Sequence, residues 1–183
     1  MSNWRVYCKK ADFAKIGKTY GVDQVIARIA RNRNICTNEE LDAYFSASYQ
    51  SLHNPAQMKD LIKAVEIINK KIDEGVKIRV VGDYDVDGIC STTILVKAIR
   101  ACGGIVDYSV PDRVSDGYGI NIAIIDKALQ DGIDTIVTCD NGIAAIEQVN
   151  YAKSKGMTVV VTDHHEIPFD EYNGEKHYIY SKA

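Results

Sequence analysis

The chain has 183 residues, 46% apolar and 26% charged. Those proportions fit a soluble globular protein and exclude a disordered, collagen-like or disulfide-stapled chain. No apolar run reaches the ~20 residues that cross a bilayer. Met1 to Lys10 carries charge without the apolar stretch of a secretory signal, so the expected compartment is the cytoplasm. Net charge is −3, but residues 1–75 hold 12 Lys and Arg against 9 Asp and Glu, whereas residues 76–183 hold 10 against 16. A stand-alone nucleic-acid binder carries a basic excess. Any phosphate-binding surface of this chain is therefore local or lies elsewhere.

In chain order, the first 75 residues read as helix. Val22, Val25, Ile26 and Ile29 recur at helical spacing, with Arg28, Arg31 and Arg33 as a solvated basic face. Thr37 ahead of Glu39 and Glu40 opens a helix through Leu41 to Phe45. Met58, Leu61, Ile62, Val65, Ile68 and Ile72 mark one stripe of a longer helix that stops at Glu74-Gly75. After Gly75 the pattern alternates. Strands are expected at Lys77–Val81, Ile105–Val110, Thr135–Cys139 and Met157–Thr162. Helices are expected at Ile89–Cys102, Ile120–Leu129 and Ile143–Lys155. Alternation with short connections predicts an α/β fold, a parallel Rossmann-like sheet with helices on both faces, preceded by a small helical N-terminal segment. The expected division is residues 1–75 and 76–183. Five cysteines, Cys8, Cys36, Cys90, Cys102 and Cys139, are odd in number and form no CxxC pair. They read as free thiols rather than as a disulfide framework or zinc site.

Ligand sites of such sheets gather beyond the carboxyl ends of the strands. Three predicted strands end in acidic or imidazole groups. The first ends in Gly82-Asp83-Tyr84-Asp85-Val86-Asp87-Gly88, the third in Cys139-Asp140-Asn141-Gly142, and the fourth in Thr162-Asp163-His164-His165. Carboxylates crowded together repel unless a cation compensates them. Asp oxygens with imidazole suit Mn²⁺ or Mg²⁺, and Asp140 is placed to bridge two ions that clamp a phosphoryl displacement. A calcium EF-hand is excluded. That loop needs Glu at its twelfth position, and counting from Asp83 the twelfth residue is Ile94. Taken singly, TxDNG is an ordinary strand end and turn. The combination of three clusters carries the metal reading.

At these residues the sequence resembles the DHH phosphoesterase family. GDYDVDG (Gly82–Gly88), TCDNGI (Thr138–Ile143) and VTDHHEIP (Val161–Pro168) match its first three motifs. Two further stretches are similar to its RecJ-type exonuclease branch. One comprises RIARNRNICTNEEL (Arg28–Leu41) and SLHNPAQMKDLIKAVEII (Ser51–Ile68). The other is VPDRVSDGYGIN (Val110–Asn121).

The resemblance implies a two-metal nuclease, using Mn²⁺ or Mg²⁺, that removes nucleotides from the 5′ end of single-stranded DNA in repair and recombination. A single-strand-binding protein is a further expected partner. By position, Asp85, Asp87 and Asp140 hold metal with Asp140 bridging, His164 is a ligand, and His165 faces the phosphate or leaving group. Asp83 is a ligand or supports one, and Asp163 orients a histidine.

Two departures accompany these expectations. Many family members carry a His where this chain has Val81, leaving a vacancy for Asp83 or water. The family's fourth acidic motif and second domain do not occur in these residues, so the chain alone is expected to bind metal weakly and cleave poorly. Arg113 and Tyr118, in the loop after the second strand, are candidates for phosphate pairing and base stacking, with a surface Arg and a packing Tyr as the alternative. Other DHH enzymes (oligoribonuclease, cyclic-dinucleotide phosphodiesterase, pyrophosphatase) and a non-catalytic binding fragment are the competing functions.

Overall fold

The computed structural model describes residues 7–46, 48–115, 117–173 and 175–179. The start read above for a leader lies largely outside them, as does Ala183. Backbone contacts divide the chain into two compact units, Met1–Met58 and Lys59–Ala183, rather than at the expected Gly75.

The first unit holds α1 (Phe13–Tyr20), α2 (Gln24–Asn32) and α3 (Asn38–Ser46), then 3₁₀ turns at Tyr49–Ser51 and Pro55–Gln57. Each helix starts on a side-chain cap that satisfies otherwise orphaned amides. Asp12 accepts from the Lys15 amide at 2.9 Å and Asp23 from that of Val25 at 2.7 Å. At α3 the exchange is reciprocal: Thr37 Oγ1 accepts from the Glu40 amide at 3.1 Å, while Glu40 Oε2 accepts from the Thr37 amide at 2.9 Å. This is the capping box written in Thr37-Asn38-Glu39-Glu40. The three arginines are not a free charged face. Arg28 lies over the Phe13 ring at 4.7 Å, Arg31 Nε donates to the Lys10 carbonyl at 3.2 Å, and an Arg33 guanidinium nitrogen donates to Tyr44 Oη at 3.1 Å. They tie the small unit together.

The second unit begins with α4 (Leu61–Asp73) and continues β1 (Lys77–Val81), α5 (Val86–Ala101), β2 (Ile105–Ser109), α6 (Ile122–Gln130), β3 (Thr135–Cys139), α7 (Ile146–Ser154) and β4 (Thr158–Thr162). A hairpin, β5 (Phe169–Tyr172) with β6 (Glu175–Tyr178), follows. The four main strands are all parallel, in the order β2-β1-β3-β4.

One sheet face presents Ile78, Val80, Val106 and Val137 to Val96 and Ile99 of α5, and to Ala64, Ile67, Ile68 and Ile72 of α4. The other presents Val81, Ile136 and Val159 to Ile124, Ile125 and Ala128 of α6, and to Val149 and Ala152 of α7. The expected α/β sandwich with helices on both faces is therefore present. β1 and β3 are covered on both sides, which is why they read as near-continuous apolar runs. Because α4 packs Ala64, Ile67, Ile68 and Ile72 against this sheet, it belongs to the second unit, whereas Ile62 and Val65, read as part of its stripe, are exposed. Met58, read as the start of that stripe, lies before the helix and is 65% exposed.

Val81 is fully buried in the core. From β1 the sheet grows to one side through β2 and to the other through β3. The crevice at this change of direction lies beyond the carboxyl ends of β1 and β3, where open parallel sheets place their ligands.

The opposite sheet edge is held by charge. Buried Arg79 on β1 makes a two-pronged contact with Asp107 of β2, at 2.8 and 2.7 Å, and a third with Asp131 at 3.0 Å. Lys127 also reaches Asp131, at 2.8 Å. Lys127 foremost, and then Arg79, hold the Asp131 carboxyl below its ordinary value. A carboxylate depressed in the folded state contributes stability above its unfolded pKa of about 3.9, and that contribution is lost as pH falls through the folded value. Urea unfolding at pH 7 and at pH 3 is therefore expected to show a larger loss on acidification in the native chain than in Asp131→Asn. An identical pH dependence in the two would contradict this.

Candidate metal centre

β1 runs out into Gly82-Asp83, and the chain then turns into α5. Asp85 is the N-cap of that helix and accepts from the Gly88 amide at 3.0 Å. The Gly88 amide is also the largest cause holding the Asp85 carboxyl below its ordinary value. Gly88 is required here by space. A Cβ at that position would lie 2.3 Å from the Asp83 carbonyl oxygen, so only glycine lets the first turn of α5 press on the Asp83 peptide. The positive end of the helix dipole thus faces the acidic cluster. Asp83 is 1% exposed, and its Oδ1 is buried without a hydrogen-bond partner. A buried carboxylate oxygen left bare is costly, and a bound cation is one way such an atom is satisfied.

β3 is followed directly by Asp140, which adopts φ 61°. This left-handed conformation is uncommon for a residue other than glycine and is found where the surroundings force it. The forcing contacts are visible. The Asp140 amide donates to the Thr162 carbonyl at 3.1 Å. The next residue, fully buried Asn141, donates to the carbonyls of Val81 at 3.0 Å and Cys139 at 2.9 Å, and accepts from the Ile120 amide at 3.1 Å. One side chain therefore fastens β1, β3 and the loop before α6. Asp140 Oδ1 lies 2.8 Å from His164 Nε2. Burial raises the Asp140 carboxyl, with the Asp85 charge adding to the rise and His164 opposing it.

β4 delivers Asp163, whose side chain is almost wholly buried. Its Oδ2 accepts from the Ile143 amide at 3.0 Å. Its Oδ1 accepts from the amides of His164 and His165 at 2.8 and 3.1 Å and lies 2.6 Å from His165 Nδ1. Burial pushes this carboxyl up, but the Ile143 amide and the other donors outweigh it and leave it lowered. The same contact raises His165.

Ligand atoms of Asp83, Asp85 and Asp140 lie within 4.8 Å of one another, and so do those of Asp140, His164 and His165. Asp140 is common to both groups. The donor set, all carboxylate oxygen and imidazole nitrogen, together with the bare Asp83 Oδ1, fits hard divalent ions such as Mn²⁺ or Mg²⁺.

The first motif is not a turn presenting three equivalent carboxylates. Asp87 sits exposed in the first turn of α5 and belongs to neither group. Tyr118 is 53% exposed, but its hydroxyl donates to the Asp140 carbonyl at 2.9 Å and approaches His165 Nε2 at 3.2 Å. Burial, followed by the charges of Asp163, Asp83, Asp140 and Asp85, pushes its pKa up to about 12. It is part of the site's frame. Arg113 is exposed in the same loop, its guanidinium 5.2 Å from the Tyr84 ring centroid. Two contributors were not read from the sequence, Asn141 and Tyr84. Both lie inside the quoted motifs, yet neither has the charge that drew attention to its neighbours.

Replacing Asn141 by Leu keeps the number and branching of the side-chain heavy atoms and removes the partner of three buried backbone groups. The expected loss is about 3 kcal/mol in urea unfolding. A loss under about 0.5 kcal/mol would show that Asn141 does not hold the strands.

Residues 77–182, more than half of the chain, match the DHH family, N-terminal domain. The chain is 36% identical over 154 residues to the single-stranded-DNA-specific exonuclease RecJ of Haemophilus influenzae, covering 84% of this chain and 26% of that protein. It is 39% identical over 142 residues to the RecJ of Escherichia coli K12, covering 77% and 24%. Among solved structures it is similar to an exonuclease RecJ bound to manganese, with TM-score 0.56, 35% identity, and coverage of 59% of this chain and 28% of that one. It is also similar to RecJ in complex with Mn²⁺ from Thermus thermophilus, with TM-score 0.58, 26% identity, and coverage of 85% and 21%. The chain spans about a quarter of the length of the curated relatives it matches. With three motifs converged at one sheet edge and a family match across that whole sheet, the chain belongs to the DHH family.

Proposed function

We propose that this chain carries the metal-binding core of a phosphodiesterase that hydrolyses single-stranded DNA from its 5′ end, as a RecJ-type exonuclease. The observation that carries the reading is the pair of donor groups sharing Asp140, with the Asp83 Oδ1 beside them lacking any partner. The named activity of relatives such as those of Haemophilus influenzae and Escherichia coli supports the choice of substrate. Because the chain spans about a quarter of such relatives, the activity is proposed for the protein at its full encoded length.

In this reading Asp83, Asp85 and Asp140 hold one divalent ion, and Asp140 with His164 holds a second, Mn²⁺ or Mg²⁺ in each case. Bound ions supply Lewis acidity and a water acidic enough to give hydroxide near neutral pH. The protein's own groups do the rest. Asp140, fixed in its left-handed conformation, keeps one carboxylate between the two donor groups. Asp163 fixes the tautomer and direction of His165, so that Nε2 can face a phosphate or leaving oxygen. Asp87 adds negative charge at the rim. Arg113 pairs with a strand phosphate at the mouth. Tyr118 has one ring edge against His165, at a centroid distance of 5.8 Å, and half of its surface open to a base. The setting proposed is cytoplasmic DNA repair and recombination, with single-strand-binding protein as the accompanying partner. Among the described residues no helix is long and apolar enough to cross a membrane.

The test is Asp140→Ala in the protein at full encoded length. Cleavage of a 5′-labelled single strand in Mn²⁺ is expected to fall more than about 100-fold, and Mn²⁺ binding followed by electron paramagnetic resonance is expected to weaken in parallel. A purified variant that kept the native rate would overturn the assignment.

A further inference from the structure

Tyr84, in the turn between β1 and α5, packs against two residues of the loop that follows β2, Arg113 and Tyr118. Its ring lies edge-on to Tyr118, at 6.4 Å and 87°. Tyr118 lies edge-on to His165, at 5.8 Å and 86°. Both separations fall in the range of favourable aromatic pairs. On Tyr84 rests the guanidinium of Arg113, 5.2 Å from the ring centroid and within reach of a cation–π attraction. Arg113, Tyr84, Tyr118 and His165 thus form one continuous ladder of contacts that starts on an exposed cation and ends at the proposed metal site.

The ladder has one adjustable member. His165 is held by Asp163, and Tyr118 by the Asp140 carbonyl. Tyr84 is fixed at the chain level, because its neighbour Asp83 is buried under α5 and Asp85 caps that helix. Arg113, by contrast, is exposed on a turn where the Asp112 carboxylate accepts from the amides of Val114 and Ser115. An exposed arginine loses conformational freedom when it engages a phosphate, and an aromatic platform that orders it beforehand lowers that cost. The ring attracts the guanidinium through its charge and takes up none of the acceptor contacts by which its N–H groups bind phosphate oxygens.

We infer that Tyr84 is a positioning residue: it orders the Arg113 guanidinium at the mouth of the site and thereby sets the protein's affinity for the phosphates of a single strand. The inference rests on the nuclease reading above, and is tested by binding rather than by cleavage.

Fluorescence anisotropy would follow a labelled oligothymidylate titrated with the protein at full encoded length, in EDTA, over a series of salt concentrations. Tyr84→Leu is expected to weaken binding two- to fivefold, the range spanned by an exposed cation–π contact. It is also expected to reduce the slope of log affinity against log salt by about 0.7, the share of one phosphate contact on a single strand. Arg113→Ala should reduce that slope equally, the double variant should lose nothing further, and Tyr84→Phe, which keeps the ring, should behave as the native protein. A merely structural Tyr84 would leave the salt slope unchanged, which would overturn the inference. So would additive losses in the double variant, or a Tyr84→Phe as weak as Tyr84→Leu. Absence of strand binding by the native protein would remove the nuclease reading itself and this inference with it. Native binding with an unaltered Tyr84→Leu slope would remove this inference alone.

Discussion

Three carboxylates compressed at one end of a parallel sheet are the constraint on which this structure turns. Asp83, Asp85 and Asp140 bring oxygens within 4.8 Å of one another. Carboxylates this close repel unless a cation compensates them, and the Asp85 charge adds to the rise that burial imposes on Asp140. The fold answers part of this load itself. The first turn of α5 lends its amides and dipole to Asp85, and His164 lies against Asp140. It does nothing for Asp83 Oδ1, which is buried and bare. The remainder calls for positive charge from outside the chain, and a divalent ion supplies it in the smallest volume.

Everything that fixes these side chains is local and expensive to change. Gly88 admits the helix against the Asp83 peptide. Asn141 fastens two strands and a loop through three buried hydrogen bonds. Asp140 is held in the left-handed backbone region, which Asp tolerates better than most residues other than glycine. Asp163 accepts from three amides and holds His165. At the far end of the same sheet Arg79 binds Asp107 and Asp131. The unit is thus braced by opposite charges at one edge and keeps like charges together at the other, an arrangement typical of a ligand site rather than of a core optimised for stability.

Much of this was legible from residue order. β3 falls at Thr135–Cys139 and β1 at Lys77–Val81, as their apolar runs predict, because strands buried on both faces leave that signature. The convergence of three motifs at one edge follows from parallel topology, and Asp83, Asp85, Asp140, His164 and His165 lie together there. The misses have local causes. α7 begins at Ile146 rather than Ile143 because Ile143 and Ala144 complete the turn in which Ile143 donates to Asp163. α5 begins at Val86 rather than Ile89 because Asp85 caps it, which turns Asp87 onto the helix. α1 carries Phe13, Ile16 and Tyr20 at helical spacing but is only eight residues long, and the Phe169–Tyr178 hairpin lacks alternation. Short elements of that kind are set by caps and pairing rather than by periodicity. Asn141 and Tyr84 act through hydrogen bonds and ring contacts whose partners are distant in sequence, and composition carries no trace of such pairings.

The central claim is that the clustered carboxylates and imidazoles exist to hold divalent cations. Anomalous diffraction from crystals of this chain soaked in millimolar MnCl₂ tests it most directly. The account predicts a manganese peak within bonding distance of oxygens from Asp83, Asp85 and Asp140, with a second, weaker peak beside Asp140 and His164. A map with no anomalous density at this edge, or with manganese bound only elsewhere on the molecule, would contradict it.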